Sequence, residues 1–303
     1  GYDNNRLANT ADTTYLAALN ADLSKPLWNY ATQQKTAPGS IFKMVSATAG
    51  VMEGVITTDS SITCYGTFEK LTGTVHKCHV YPGSHGALQV SGAIRHSCNC
   101  FFYEVGYRLA NDGVGYNDNY GIERLAKYVD MYGLSEKSGV EISESEPQVS
   151  DQYPVPSAIG QGTNSYTTVG LARYTTALAN GGTVFDLSLI YRIDDPSGVD
   201  SYEYAPKIRN TVELPDSLWN SIHTGMRGVV QNKYYFNQIA IDTAGKTGTA
   251  QEATNKANHA LFVGYAPYEN PTMTVAIRIA NGYTSDYAAQ VAVDVYKYYF
   301  NDT

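Results

Sequence analysis

Pro38-Gly39-Ser40-Ile41-Phe42-Lys43-Met44-Val45 is the stretch from which the fold can be worked out. The Pro-Gly pair breaks whatever precedes it and hands on a serine, with a lysine three residues later and apolar residues around both. If Ser40 opens a helix, Lys43 stands about one turn on along the same face, because residues three apart are neighbours there. Their side chains can then meet. A serine hydroxyl reacts only when something takes its proton, and lysine does that only as the free amine. Burial and the positive end of a helix both disfavour an ammonium, so a lysine in this position has two reasons to be neutral. A Ser N-cap followed by a surface lysine has the same spelling, so S-x-x-K needs further support before it means catalysis.

The chain has 303 residues, enough to bury a large core as one domain or two. With 21 Lys+Arg against 29 Asp+Glu its net charge is -8, and no basic block occurs, which argues against nucleic acid or an anionic membrane surface as a direct partner. No run of eighteen apolar residues is present, and Gly1-Tyr2-Asp3-Asn4-Asn5 has no basic-then-apolar leader pattern. The 26 tyrosines are scattered through polar segments and read as half-buried packing.

Residues 10–24 carry Tyr15, Leu16, Leu19 and Leu23 at helical spacing, which predicts an amphipathic helix covering a sheet. The next helix is expected from Ser40 to about Glu53, stopped by Gly54, with Phe42, Val45, Ala49 and Met52 inward; it is apolar almost all round. Residues 57–93 are loop-rich. Helical spacing returns over Val90–Ala110 and Ile122–Tyr132, the prolines between Pro147 and Pro156 forbid regular structure, and Val169–Asn180 is a helix stopped by Gly181-Gly182. Residues 183–212 suggest hairpins and Pro215–Val230 another helix. Gly245–Gln251, Ala260–Ala266 and Met273–Ala280 are strand-like runs, followed by a helix over Ala288–Phe300. Helices early, antiparallel strands late and helices at both ends predict an α+β fold: a central antiparallel sheet flanked by helices, with an inserted, mostly helical subdomain.

Two more motifs stand where a serine acyl-transferase needs them. Ser97-Cys98-Asn99 is an S-x-N at the start of a helix-like run, and Lys246-Thr247-Gly248-Thr249-Ala250 is a K-T-G-T-A on an expected strand. Each has an ordinary explanation, a helix cap for the first and a charged edge strand for the second. In the order S-x-x-K, S-x-N, K-T-G they spell the penicillin-recognising serine enzymes. The chain resembles the transpeptidase domain of class B penicillin-binding proteins of the elongation type. The likeness extends to Tyr2-Asp3-Asn4-Asn5, Cys98-Asn99-Cys100-Phe101-Phe102-Tyr103, Gly160-Gln161-Gly162 through Gly181-Gly182, and Phe262-Val263-Gly264-Tyr265-Ala266-Pro267, nearly the whole chain.

The resemblance implies an α/β subdomain over about residues 1–43 and 160–303 and a helical one over about 44–159. It also implies a single-pass anchor in the bacterial cell membrane and a pedestal domain, neither in this sequence, with the catalytic domain on the extracytoplasmic side. The implied reaction is D,D-transpeptidation. Ser40 attacks a D-alanyl-D-alanine carbonyl while Lys43 takes its proton, and the N–H groups of Ser40 and Thr249 form the oxyanion hole. Lys246, Thr247 and Thr249 grip the substrate carboxylate, with Gly245 and Gly248 leaving room beside the strand. Ser97 passes a proton to the leaving D-alanine, and Asn99 holds Lys43 and the peptide amide. No catalytic cofactor is implied. Expected partners are peptidoglycan stem peptides, β-lactams and, through the missing regions, a membrane glycosyltransferase and elongation-complex proteins.

Readings that compete within this resemblance are a D,D-carboxypeptidase, a β-lactamase and a sensor that only binds β-lactams. Glu141, Glu144 and Glu146 lie in a loop but lack the E-x-x-L-N context of a class A β-lactamase, and a class D enzyme would carry valine where Asn99 stands.

All four cysteines and four of the six histidines fall between residues 64 and 100. Cys64, Cys78, His85 and Cys98, separated by thirteen, six and twelve residues, offer three thiolates and one imidazole, a tetrahedral zinc set. A structural zinc would order a Gly-rich loop that has few apolar residues of its own. Some elongation-type members carry a zinc site beside the S-x-N motif, and the resemblance extends to these four positions. A Cys64–Cys78 disulfide, free thiols, or His79 in place of His85 remain open, and Cys100 is left over in each case.

Overall fold

The computed structural model describes residues 2–9, 12–198, 201–250 and 257–300. Its longer helices are α1 Thr13–Ala21, α2 Lys43–Met52, α3 Asn99–Leu109, α4 Asp118–Met131, α5 Thr168–Ala179, α6 Asp216–Gln231 and α7 Ser285–Phe300. Three long strands, β1 Ala244–Ala250, β2 His259–Ala266 and β3 Met273–Ile279, make an antiparallel sheet in the order β1-β2-β3. The remaining strands pair in twos, including the two hairpin-like pairs expected within 183–212. The expected strand end at Gln251 and the start of the first helix at Thr10 lie outside the described residues. The fold is α+β.

The sheet is covered on both faces, and its period of two sorts the side chains. Leu261, Val263 and Tyr265 of β2 enter the main core with Leu171, Tyr174 and Leu178 of α5 and Met226 of α6. Ala260, Phe262 and Ala266 enter a second core with Ala289, Val293 and Tyr296 of α7. Beneath the sheet runs α2, in which Lys43 through Gly50 is buried without a break, as an all-round apolar sequence requires. Met52, expected inside, is 40% exposed where the helix emerges.

Four local expectations need correcting. First, α1 does not cover the sheet: it buries only Leu19, and Leu23 falls past its last residue and is 97% exposed. Second, Ser40 is not in the α-helix but in a 3-10 turn over Gly39–Phe42 that leads into it. Third, the helix expected over Val90–Ala110 is broken into Val90–Arg95 and α3. Between them Ser97 has φ +53°, and the Cys98 sulfur caps the new helix by accepting the Phe101 N–H at 3.5 Å. Fourth, the proline-rich segment contains one helical turn, Pro154–Ser157, because proline fits the first helical position, where no N–H is needed.

Two glycines set where the Ser40 turn lies. Gly39 donates its N–H to the Gly160 carbonyl at 3.0 Å, and a Cβ on Gly160 would stand 2.0 Å from the Gly39 oxygen. A Cβ on Gly39 would stand 2.4 Å from the Thr249 oxygen. Both have positive φ, +52° and +77° in chain order, so side chains are disfavoured by strain as well as by space. Three backbone segments therefore meet at contact distance. Gly160→Ala is expected to cost about 2–4 kcal/mol of stability, against about 1 kcal/mol for Gly54→Ala, which has φ +69° but open space around it. Denaturant unfolding of the two variants checks this; equal costs would show that the contact at Gly160 does not constrain the turn.

Candidate active site

Ser40 reaches its place through the 3-10 turn, and its hydroxyl opens into a cleft of about 620 Å³ that is also lined by Ser97, Asn99, Thr247 and Thr249. The three motifs, far apart in sequence, thus share one cavity. Lys43 is fully buried one turn behind Ser40. Its Nζ donates to the Ser97 carbonyl at 2.6 Å, Asn99 Oδ1 at 2.7 Å and Ser97 Oγ at 3.2 Å. Those three bonds use all the donors of an ammonium, and all three acceptors are neutral. Burial lowers the Lys43 pKa to about 7, against a smaller raising effect from Cys98 and its neighbouring cysteines.

The break between Val90–Arg95 and α3 is what delivers Ser97 and Asn99 to Lys43. A left-handed residue other than glycine costs about 1–2 kcal/mol, and the surrounding bonds hold Ser97 in it. The Ser97 hydroxyl lies between two lysines, because Lys246 Nζ also donates to it, at 2.9 Å. Lys246 is fully buried, and its pKa lies well below the usual lysine range through burial and through the charges of Lys43 and Lys233. Neither Lys43 nor Lys246 has a carboxylate partner among the described residues.

β1 runs beside the Ser40 turn, and a Cβ on Gly39 would lie 3.2 Å from the Thr249 N as well as against its carbonyl. The turn that carries Ser40 and the Thr249 backbone are thereby neighbours at the cleft. The room that Gly245 and Gly248 leave beside the strand is taken up by the protein itself. Gly245 is filled by the Phe262 ring, and Gly248 by the Pro38 carbonyl and Ile41. Thr247 and Thr249 turn their side chains to the cleft.

The arrangement offers a hydroxyl nucleophile, a buried amine poised to be neutral, a second buried lysine beneath the floor, and amides and hydroxyls for an anionic ligand. Sequence reasoning gave no role in the cleft to several residues on its walls: Tyr103, Gln161, Lys233, Asn258 and Ser285, with His79, considered only as a metal ligand, beside them. Gln161 sits in the quoted Gly160-Gln161-Gly162 and could have been flagged; nothing in the local pattern marked Lys233 or Ser285.

Cys64, Cys78, His85 and Cys98 come together, with their ligand atoms all within 4.8 Å of one another. A tetrahedral ion with bonds of about 2.3 Å to sulfur needs ligand atoms about 3.8 Å apart, so this donor set fits zinc after a small contraction. All four cysteines are free thiols, and the Cys64–Cys78 bridge is not formed. The Cys78 sulfur accepts the Asn99 N–H at 3.4 Å, a bond that favours a thiolate. Hydrogen bonds from the Cys100 and Cys98 thiols hold the Cys78 thiol far below its usual range. His85 Nδ1 is 3.6 Å and His79 Nδ1 3.9 Å from that sulfur, so the cluster adjoins the cleft through His79.

A family model described as the penicillin binding protein transpeptidase domain matches residues 2–297. The peptidoglycan D,D-transpeptidase MrdA of Haemophilus influenzae is 29% identical over 336 residues, covering 99% of this chain and 50% of that protein. The protein of the same name from Escherichia coli K12 is 26% identical, covering 93% of this chain and 48% of its own. The chain therefore spans about half the length of the curated relatives it matches. PBP2 of Pseudomonas aeruginosa, solved in complex with WCK 5153, has a TM-score of 0.79 at 26% identity, covering 95% of this chain and 66% of that one. A match that begins at Tyr2 and ends within the last helix admits one assignment: the chain belongs to the penicillin-binding protein transpeptidase domain family.

Proposed function

We propose that this domain is a peptidoglycan D,D-transpeptidase working through an acyl-enzyme on Ser40. The observation that carries the reading is the buried Lys43, uncompensated by any carboxylate among the described residues and tied to Ser97 and Asn99 beside the Ser40 turn. A buried ammonium without a counter-charge is costly, so the free amine is accessible at neutral pH and can take the Ser40 proton. As Ser40 Oγ bonds to the carbonyl carbon of the D-Ala-D-Ala bond, the oxyanion is met by the N–H groups of Ser40 and Thr249. The C–N bond then breaks, and Ser97, between Lys43 and Lys246, relays a proton to the departing D-alanine amine. Lys246 with Thr247 and Thr249 holds the terminal carboxylate. An acceptor amine attacks the ester and gives its proton to Lys43; the C–O bond to Ser40 Oγ breaks as the new amide forms, and Lys43 passes that proton to the departing Ser40 oxygen. A β-lactam enters by the same attack, its ring C–N bond breaking instead.

Hydrolytic readings find less support. Glu144 is tied to Ser138 and Thr167, Glu141 to Ser188 and Leu189, and Glu146 to Lys137, and none of the three lines the cleft. The proposal includes the division into an α/β part, about 1–43 and 160–303, and a helical part, about 44–159. Its setting is the extracytoplasmic face of a bacterial membrane, with an anchor, a pedestal and a glycosyltransferase partner contributed outside this chain. Among the described residues no helix is long and apolar enough to cross a membrane. A structural zinc held by Cys64, Cys78, His85 and Cys98 would supply cross-linking of the loop-rich 57–93 segment to the start of α3.

Three outcomes are expected. Intact-mass spectrometry with a fluorescent penicillin gives a stable adduct that is lost in Ser40→Ala, and Lys43→Ala slows acylation by about 10²–10⁴-fold while circular dichroism stays unchanged; rapid turnover of the adduct would point to a β-lactamase, and full labelling of Lys43→Ala would name another base. The second-order acylation rate rises with pH through about 7 and levels off above it, since the base works only after losing its proton; a flat or falling profile contradicts that role. Protein purified without added metal contains one zinc per chain by mass spectrometry, and chelation lowers the unfolding midpoint by roughly 10 °C; no zinc together with a Cys64–Cys78 linked peptide removes the metal site.

A further inference from the structure

Lys233 stands on the wall of the Ser40 cleft with no part in the chemistry so far described. Its backbone is fixed at both ends: Lys233 N–H donates to the Val230 carbonyl at the end of α6, and Phe236 N–H donates to the Lys233 carbonyl in the short turn Tyr234–Gln238. Its head is fixed too. Lys233 Nζ donates to Asp286 Oδ1 at 2.6 Å, and the Tyr235 hydroxyl donates to the same oxygen at 2.9 Å. This pair is about one-third exposed on each side, and exposed pairs of that kind add little to stability. What the pair does achieve is to hold the ammonium of a cleft-lining residue in one place, with its side-chain freedom already spent. An ammonium has three donors, Asp286 takes one, and no other partner is present among the described residues.

Formal charge on the cleft lining is one-sided, with Asp286 paired to Lys233 from outside that lining. Lys233 is the one formally charged side chain on the described wall, no carboxylate lines that wall, and Lys246 lies buried below. Lys246 with Thr247 and Thr249 suffices for a single carboxylate at the end of a substrate. A second cation held separately on the wall fits a ligand that carries a second carboxylate.

We propose that Lys233 is a specificity-determining residue that binds the side-chain carboxylate of a diaminodicarboxylic residue in a stem peptide, apart from the terminal carboxylate held at Lys246. The proposal rests on the transpeptidase reading above and deepens it by naming a feature of the substrate. The carboxylate belongs either to the donor peptide or to the acceptor whose amine attacks, and both present the same chemistry to Lys233.

Two arms separate the sources. In the donor arm, synthetic pentapeptides ending in D-Ala-D-Ala, with meso-diaminopimelate or lysine at the third position, slow acylation by a fluorescent penicillin. In the acceptor arm, tripeptides ending in meso-diaminopimelate or lysine speed release of an acyl group loaded from a thioester. Each arm is read as the ratio between the two peptides within one protein, so changes in intrinsic acylation rate cancel. In the wild-type domain one arm should favour the diaminopimelate peptide by about three- to tenfold, the range of one charge-assisted hydrogen bond at a half-exposed site. Lys233→Gln should bring that ratio close to one, and Lys233→Arg should restore most of it. The arm that responds names the source. A wild-type ratio near one in both arms, or a preference that survives Lys233→Gln, overturns the proposal. A wild-type protein that no penicillin acylates fails at an earlier step and counts against the transpeptidase reading itself.

Discussion

The structure depends on burying a lysine without giving it a counter-charge. Lys43 sits in a helix that is buried through eight consecutive residues, Lys43 through Gly50, and its three hydrogen-bond acceptors are a carbonyl, an amide oxygen and a hydroxyl. A carboxylate there would stabilise the ammonium and make the amine useless as a base. Neutral acceptors do less: they satisfy the donors while leaving the cost of desolvation in place. The price of that arrangement is spread over the fold, since the acceptors come from Ser97 and Asn99, and both need the helix break that puts Ser97 at φ +53°.

A second constraint is backbone contact. Thr249, Gly39 and Gly160 approach so closely that no Cβ fits on either glycine, so the strand, the nucleophile turn and the segment after Pro156 are positioned by main chain rather than by side-chain packing. Main-chain contact is stiffer than rotamer packing. On the proposed mechanism, an oxyanion hole built from N–H groups on two of these segments would inherit that stiffness, which suits donors that act without reorganising.

Much of this was legible in the sequence. The S-x-x-K, S-x-N and K-T-G spellings carry chemistry at fixed short spacings, and the strand-strand-strand-helix order of the last third follows from local periodicity, so β1, β2, β3 and α7 match their expectations closely. The four expected zinc ligands meet in space, because the spacing of Cys and His is itself local information. What the sequence hid was set by contacts between distant segments. The break at Ser97 depends on Cys78 accepting the Asn99 N–H from another loop, and the Val90–Ala110 periodicity runs straight through it. The exposure of Leu23 depends on where α1 ends, and the placing of Lys233 on the cleft wall depends on Asp286, 53 residues away.

Cys98 lies between Ser97 and Asn99, so the residue that faces the cysteine cluster and the residues that face Lys43 are adjacent on one turn. Side chains alternate sides across such a turn, and here one side is sulfur and the other is catalytic polar groups. Cys98 caps α3 with its own sulfur, accepting the Phe101 N–H, while the Asn99 N–H is taken by the Cys78 sulfur at 3.4 Å, so two of the four orphan donors at that helix start are satisfied by the cluster. Remove the cluster's order and those donors lose their acceptors, the start of α3 frays, and Asn99 Oδ1 no longer has a fixed place at 2.7 Å from Lys43. The cysteine cluster therefore acts on Lys43 through helix capping, at one remove from the Ser40 turn. A chain with so little apolar sequence between residues 57 and 93 could not hold that turn by packing alone.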